Sequence, residues 1–242
     1  MKYKYKYRLV LDESYSFGAV GRTGRGLTEL YNVPASKVDM LLGSCAIGLN
    51  ACGGFCAGSH IVVEHQRING PSFVFSASMP ALLAVSASEG INIIRNTPSI
   101  FENLQANIHA ARAILDKLDC ISIPSHLASP VIHIHVRPVP YYGSQKLPEQ
   151  QQQQQQQLYA SPKDLVKLAE YDGEERLLQE VVGECLAQGV MVTRAQKLKG
   201  QETVEPRPSI RLALSSALTR KDTEKAVAVL KNVLIKVLSK KR

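Results

Sequence analysis

Between Leu9 and Gly58 the chain carries the pattern that most limits its fold. Leu9-Val10-Leu11 is an apolar run that stops at Asp12-Glu13, and glycines follow at 18, 21, 24 and 26. A second apolar run, Met40-Leu41-Leu42, follows Asp39 and leads through Gly43-Ser44-Cys45-Ala46-Ile47 to Gly53-Gly54-Phe55. An apolar run that ends in an acid and a glycine-rich turn reads as a buried strand delivering a carboxylate to a sheet's C-terminal edge. That edge is where open α/β sheets place ligands. Glycine-rich strand exits mostly serve turns and close packing, and that reading is preferred here to a phosphate cradle.

The run Leu11-Asp12-Glu13-Ser14-Tyr15-Ser16-Phe17-Gly18, with Gly21-Arg22-Thr23-Gly24-Arg25-Gly26 after it, resembles the signature of the α-oxoamine synthases. Those are pyridoxal-phosphate (PLP) acyltransferases of the aspartate-aminotransferase fold. The resemblance continues through His65 to Gly70, Phe75-Ser76-Ala77-Ser78-Met79-Pro80 and Pro208-Ser209-Ile210-Arg211, in the family's order. It implies an α/β chain of the type I PLP-transferase fold: part of a large domain with a mixed sheet, then an α+β C-terminal small domain. Catalytic members carry their Schiff-base lysine six residues before the Gly-Gly pair. Counted back from Gly53, that position is Ile47, and no lysine stands between Lys37 and Lys117. Isoleucine has no amine, so covalent attachment of PLP is closed to this position. The loss is similar to that in the non-catalytic subunits of serine palmitoyltransferase.

That resemblance implies a heterodimer. PLP would be held by a lysine-bearing catalytic partner, subunit 2, with L-serine and palmitoyl-CoA at the shared site, and this chain would supply no catalytic residue. By the same resemblance, Asp12 corresponds to the acid that pairs with the pyridine nitrogen; a strand-end acid that caps a turn is the open alternative. Ser76 and Ser78 correspond to a segment that reaches across the dimer to the partner's PLP phosphate; the alternative is N-capping of the next helix. Arg211 aligns with the arginine that binds the substrate carboxylate, the alternative being an ion pair with a small-domain acid. Tyr15 and Leu218 stand where catalytic members carry histidines. The resemblance also implies a cytosol-facing domain at the endoplasmic-reticulum membrane, anchored by an upstream part; the abrupt start reads as the C-terminal half of a longer polypeptide. Two other readings are a divergent active synthase using another amine and a non-enzymatic interaction module on the same fold. Lys37 is the nearest amine, but it lies before the second strand.

Composition narrows the partners. The formal charge of +8 gathers at the ends, in Lys2, Lys4, Lys6 and Arg8, then Lys236, Lys240, Lys241 and Arg242. There is no Trp and no interior basic stripe interleaved with aromatics, so solvated ends or an anionic membrane surface are expected, not nucleic acid. The five cysteines include no C-x-x-C pair, which argues for buried thiols and against a metal site. Residues 40–63 and 68–88 contain no Asp, Glu, Lys or Arg, but their glycines and prolines predict buried strands and a core helix, not membrane spans. No apolar h-region follows Met1.

Strands are expected over 7–12, 38–42, 52–57, 120–123, 131–136, 190–193 and 209–214. Helices are expected over 79–95, from Thr97-Pro98 onward with Ile100, Leu104, Ile108, Ala111, Leu115 and Leu118 inward, over 174–188, and over 221–238. The large-domain part is drawn as 1–97 and the small domain as 98–242. His133 and His135 alternate with apolar residues and are expected on a strand's solvent face. Pro138 to Tyr159, with glutamine unbroken from Gln150 to Gln157, reads as a disordered insert. Excising Gln150 to Gln157 is expected to leave folding and partner assembly intact, because loop-closure entropy changes by well under about 1 kcal/mol for such a cut. A large drop in the denaturation midpoint or in partner capture would show instead that the segment is docked.

Overall fold

The computed structural model describes residues 2–137, 162–196 and 206–239. The expected glutamine-rich insert, 138–159, lies outside the described residues. The chain forms two compact units, one from residues up to Ile108 with 128–130 and 215–217, the other from the remainder. They part between Ile108 and His109, where the sequence reading draws its line at 97/98.

In the first unit, β1 (Val10–Asp12) runs parallel to β2 (Met40–Ser44), and β2 pairs antiparallel with β3 (Gly54–Gly58). The mixed sheet has the order β1-β2-β3. A short helix α1 (Lys2–Tyr5) precedes it and is tied back by Asp39. That carboxylate takes hydrogen bonds from Lys2 Nζ at 2.7 Å, Arg8 at 3.1 Å and the Leu9 amide at 2.9 Å. The Lys2 hydrogen bond, followed by the Leu9 amide, lowers the Asp39 carboxyl to about 2.

Three short helices, α2 (Leu27–Leu30), α3 (Cys45–Leu49) and α5 (Pro71–Val74), and two longer ones, α4 (His60–Asn69) and α6 (Ala81–Asn96), complete this unit with the start of α7 (Ser99–Leu115). The segment with His65 and Arg67 lies in α4. The buried cluster is small: Cys45, Leu49 and Ala87, with Phe17, Ala51 and Ile94 against it. This corrects the expectation of buried strands and a core helix. Val10 is exposed in β1, and α6 buries only Ala87 while Leu82 is 78% and Val85 67% exposed. The physical reason is cover. A sheet buried on both faces needs a layer on each, and here α3 and α4 are the helices that pack on β2 and β3.

The second unit holds the larger core. Strands β4 (Ile121–Ser122), β5 (Val131–Val136), β6 (Thr193–Arg194) and β7 (Ile210–Ala213) form an antiparallel sheet in the order β4-β5-β7-β6. Helices α8 (Pro162–Ala187) and α9 (Arg220–Ser239) pack together and share the core with it. Alternation works as expected: Ile132 and Ile134 are fully buried. The α9 stripe Thr223, Val227, Leu230, Leu234 and Val237 recurs at three- and four-residue steps. Its start is capped by Thr219, whose hydroxyl accepts from the Asp222 amide at 3.1 Å and donates to the Asp222 carboxylate at 2.6 Å. On α7 the buried face begins at Phe101, not Ile100, and continues through Leu104, Ile108, Ala111 and Leu115. A single helix covers 162–187, and Gly189 at φ +77° ends the turn after it.

Candidate functional site

Strands β1 and β2 are parallel, so their C-terminal ends, Asp12 and Ser44, lie at one edge of the sheet. The chain leaves that edge twice: through the glycine-rich loop after Asp12, and into α3 after Ser44.

Asp12 is exposed, and its Oδ1 accepts the Ser14 amide at 2.8 Å. Hydrogen bonds from the Ser14 hydroxyl and then the Ser14 amide hold its carboxyl below the usual range. This is the turn-capping geometry of the alternative reading. Its neighbour Glu13 does something the sequence did not announce. Glu13 is 1% exposed. Its carboxylate accepts the Leu27 amide at 2.9 and 3.0 Å, the Thr28 amide at 3.3 Å and the Ser16 hydroxyl. One buried acid therefore closes the loop from residue 16 to residue 28. A Cβ on Gly26, which sits at φ +83°, would strike that carboxylate. A Cβ on Gly18, at φ +76°, would come within 2.8 Å of the Gly48 Cα in α3. The glycines thus serve turns and close approach, as preferred from the sequence, and they press the loop onto α3. A second carboxylate, Glu29, accepts from the Thr23 amide and hydroxyl and from the Arg25 amide. Burial pushes the Glu29 carboxyl up, but the bonds from Thr23 and Arg25 outweigh it and leave the group lowered.

The connection after β2 is a helical turn. Ser44 caps α3, its hydroxyl accepting the Ala46 amide at 3.2 Å, and Asn50 at φ 50° ends it. Cys45 and Leu49, one turn apart, point inward. Ile47 lies between them on the opposite side and is 49% exposed. The side chain at 47, the position to which the resemblance points for the family's amine, is therefore an exposed alkyl group.

Ser76 and Ser78 are exposed in the link between α5 and α6. Ser76 donates back to the Ser72 carbonyl, and the N-cap of α6 is Pro80 with no side-chain hydrogen bond. Neither serine caps the helix, so that alternative is set aside. The neighbouring stretch of chain carries exposed apolar side chains: Phe75 is 86% exposed, and Ile68, Phe73, Leu82 and Val85 are exposed as well. Tyr15 and Leu218 are also exposed.

In the second unit Arg211 is exposed on β7, and the expected ion pair with a small-domain acid is not formed among the described residues. His133 and His135 are not free on a solvent face. They are half-buried, His133 Nδ1 standing 3.0 Å from the Ser209 hydroxyl and His135 Nδ1 2.9 Å from the Pro208 carbonyl oxygen. The strand alternation placed the rings, but the segment that folds over them lies over seventy residues away in the chain. No group of three potential metal ligands occurs among the described residues, and none of the described helices is long and apolar enough to cross a membrane.

Comparison with known proteins agrees with this architecture. A family profile described as aminotransferase class I and II matches residues 1–230. Serine palmitoyltransferase 1 of Dictyostelium discoideum is 35% identical over 234 residues, which cover 95% of this chain and 43% of that protein. Serine palmitoyltransferase 1 of Saccharomyces cerevisiae is 30% identical over 244 residues, 97% of this chain and 43% of the relative. The chain spans less than half the length of these curated relatives. Among solved structures, a Sphingomonas wittichii serine palmitoyltransferase superposes with a TM-score of 0.71 at 17% identity, over 98% of this chain and 49% of that one. An 8-amino-7-oxononanoate synthase from Francisella tularensis gives 0.66 at 14% identity, over 93% and 54%. These two establish the fold.

Proposed function

The chain belongs to the class I and II aminotransferase family, and from that premise we propose that it acts as the non-catalytic subunit of a serine palmitoyltransferase. The complex would condense L-serine with palmitoyl-CoA to 3-ketosphinganine, releasing CO2 and CoA, in sphingolipid synthesis. The observation that carries the proposal is Ile47, an alkyl side chain exposed at the amine's position on an otherwise formed strand-loop-helix framework. The lysine and the PLP it binds would belong to a second, catalytic subunit. The relatives named serine palmitoyltransferase 1 support the assignment, and the endoplasmic-reticulum placement is part of the same reading.

This chain's own contribution would be made through 73–85. Its exposed apolar side chains suit burial against another polypeptide. Ser76 and Ser78, which do not cap α6, would turn their hydroxyls to the phosphate of the partner's PLP. A charge-assisted hydrogen bond of this kind contributes roughly 1.5–3 kcal/mol. In the assembled complex, Ser76→Ala with Ser78→Ala is therefore expected to speed PLP loss from the partner about tenfold or more while the heterodimer stays formed. Cofactor dissociation, followed by absorbance with and without the double change, decides it. Unaltered retention would confine this chain to assembly. Failure of any lysine-bearing relative to copurify with the chain would overturn the subunit role itself.

A further inference from the structure

The polar face of the four-stranded sheet carries groups that the subunit role leaves unused. His133 pairs directly with Arg211 across β5 and β7, and Thr193 pairs with Arg211 on its other side. Directly opposed residues of antiparallel strands project from the same face, so the three make a row. His135, two residues along β5, shares that face. His133 is fastened at two points: its amide donates to Ser125 Oγ at 2.9 Å, and its Nδ1 stands against the buried Ser209 hydroxyl. His135 Nδ1 faces a carbonyl oxygen and so carries the proton of its neutral ring. In both rings Nε2 is the nitrogen not engaged by these contacts.

We propose that His133 is an anion-binding residue that works with Arg211: a carboxylate held by the guanidinium takes a second hydrogen bond from the protonated imidazole. The proposal rests on the reading of Arg211 as a carboxylate-binding residue and adds to it a second, pH-gated donor. The geometry behind it is a guanidinium without an ion pair among the described residues beside an imidazole on the adjacent strand. Among the described residues, the charged groups that act on His133 are His135 and Arg211. Burial first, then the His135 and Arg211 charges, push its pKa down. Each of these effects favours the neutral ring. An anion on Arg211 would offset the Arg211 charge and favour the protonated ring. By linkage, anion affinity then rises as pH falls through the His133 titration.

The test is a histidine-ring NMR titration of the 242-residue chain between pH 5 and 8, with acetate as the probe and chloride at equal ionic strength as the control. Acetate is expected to move the His133 midpoint up by about one pH unit at saturation. That corresponds to about tenfold tighter binding to the protonated form, the worth of one charge-assisted hydrogen bond. His133→Asn is expected to flatten the pH dependence of acetate affinity, and Arg211→Gln to remove acetate binding at either end of the range. An equal response to chloride, or none to acetate, overturns the proposal in the unaltered chain, independent of any variant's folding. If His133→Asn keeps the rise at low pH, the role of His133 falls and that of Arg211 stands. Undiminished acetate binding by Arg211→Gln removes the reading of Arg211 on which the proposal rests.

Discussion

Soaking the chain with pyridoxal phosphate, reducing with borohydride and mapping the peptides is expected to give no stoichiometric pyridoxyl-lysine at any one position. The contrast with a lysine-bearing relative should be close to all or nothing. A Schiff base needs an amine, and the position to which the resemblance points, in the helical turn after β2, carries Ile47. Lys37 cannot stand in. It lies in the turn Ala35–Lys37 ahead of β2, and β2 then runs five residues toward the Asp12 edge. At roughly 3.3 Å per residue that is about 15 Å of strand, far beyond a lysine side chain's reach. Scattered substoichiometric labelling of exposed lysines is compatible with this expectation. A full label at one lysine, Lys37 included, would sink the non-catalytic assignment.

Replacing Glu13 by alanine is expected to lower the unfolding free energy of the first unit by about 3 kcal/mol, the cost of leaving buried donors without an acceptor. The Leu27 and Thr28 amides and the Ser16 hydroxyl all lose their partner together. Glu13→Gln keeps one carbonyl oxygen in place and should cost less. Denaturant unfolding measures the loss, and amide exchange at Leu27 and Thr28 localises it. Wild-type exchange at those two amides in Glu13→Ala would show that the loop is held by other contacts.

The sequence was most informative where a periodicity repeats over many residues. The helix α9 and the burial of Ile132 and Ile134 in β5 needed nothing beyond their own segments, and the structure contains both. It was least informative about cover. Leu82 and Val85 have the composition of a core helix, but composition reports what a side chain favours and not whether a second layer is present. Ile47 could be singled out because the resemblance has a fixed spacing, and the structure adds that its side chain is exposed. Glu13 was not, because an acid beside serines and glycines looks like solvent-facing turn chemistry. Its hint was Gly26, thirteen residues on, whose missing side chain leaves room for the carboxylate. The pairing of His133 with Ser209 was beyond any local pattern, since the two meet only when β5 and β7 come together.

The loop that carries Gly18, Gly21, Gly24 and Gly26 has all four at positive φ. Such positions tolerate almost no L side chain, whether or not the loop stands beside a working cofactor. A lineage that gives up the reaction is therefore released from keeping its amine but not from keeping these glycines. Drift can erase the chemistry first and leave the spelling of the family in place. Homology read from a glycine signature in this fold is evidence of ancestry and shape, and a claim of activity has to be argued separately at residue 47.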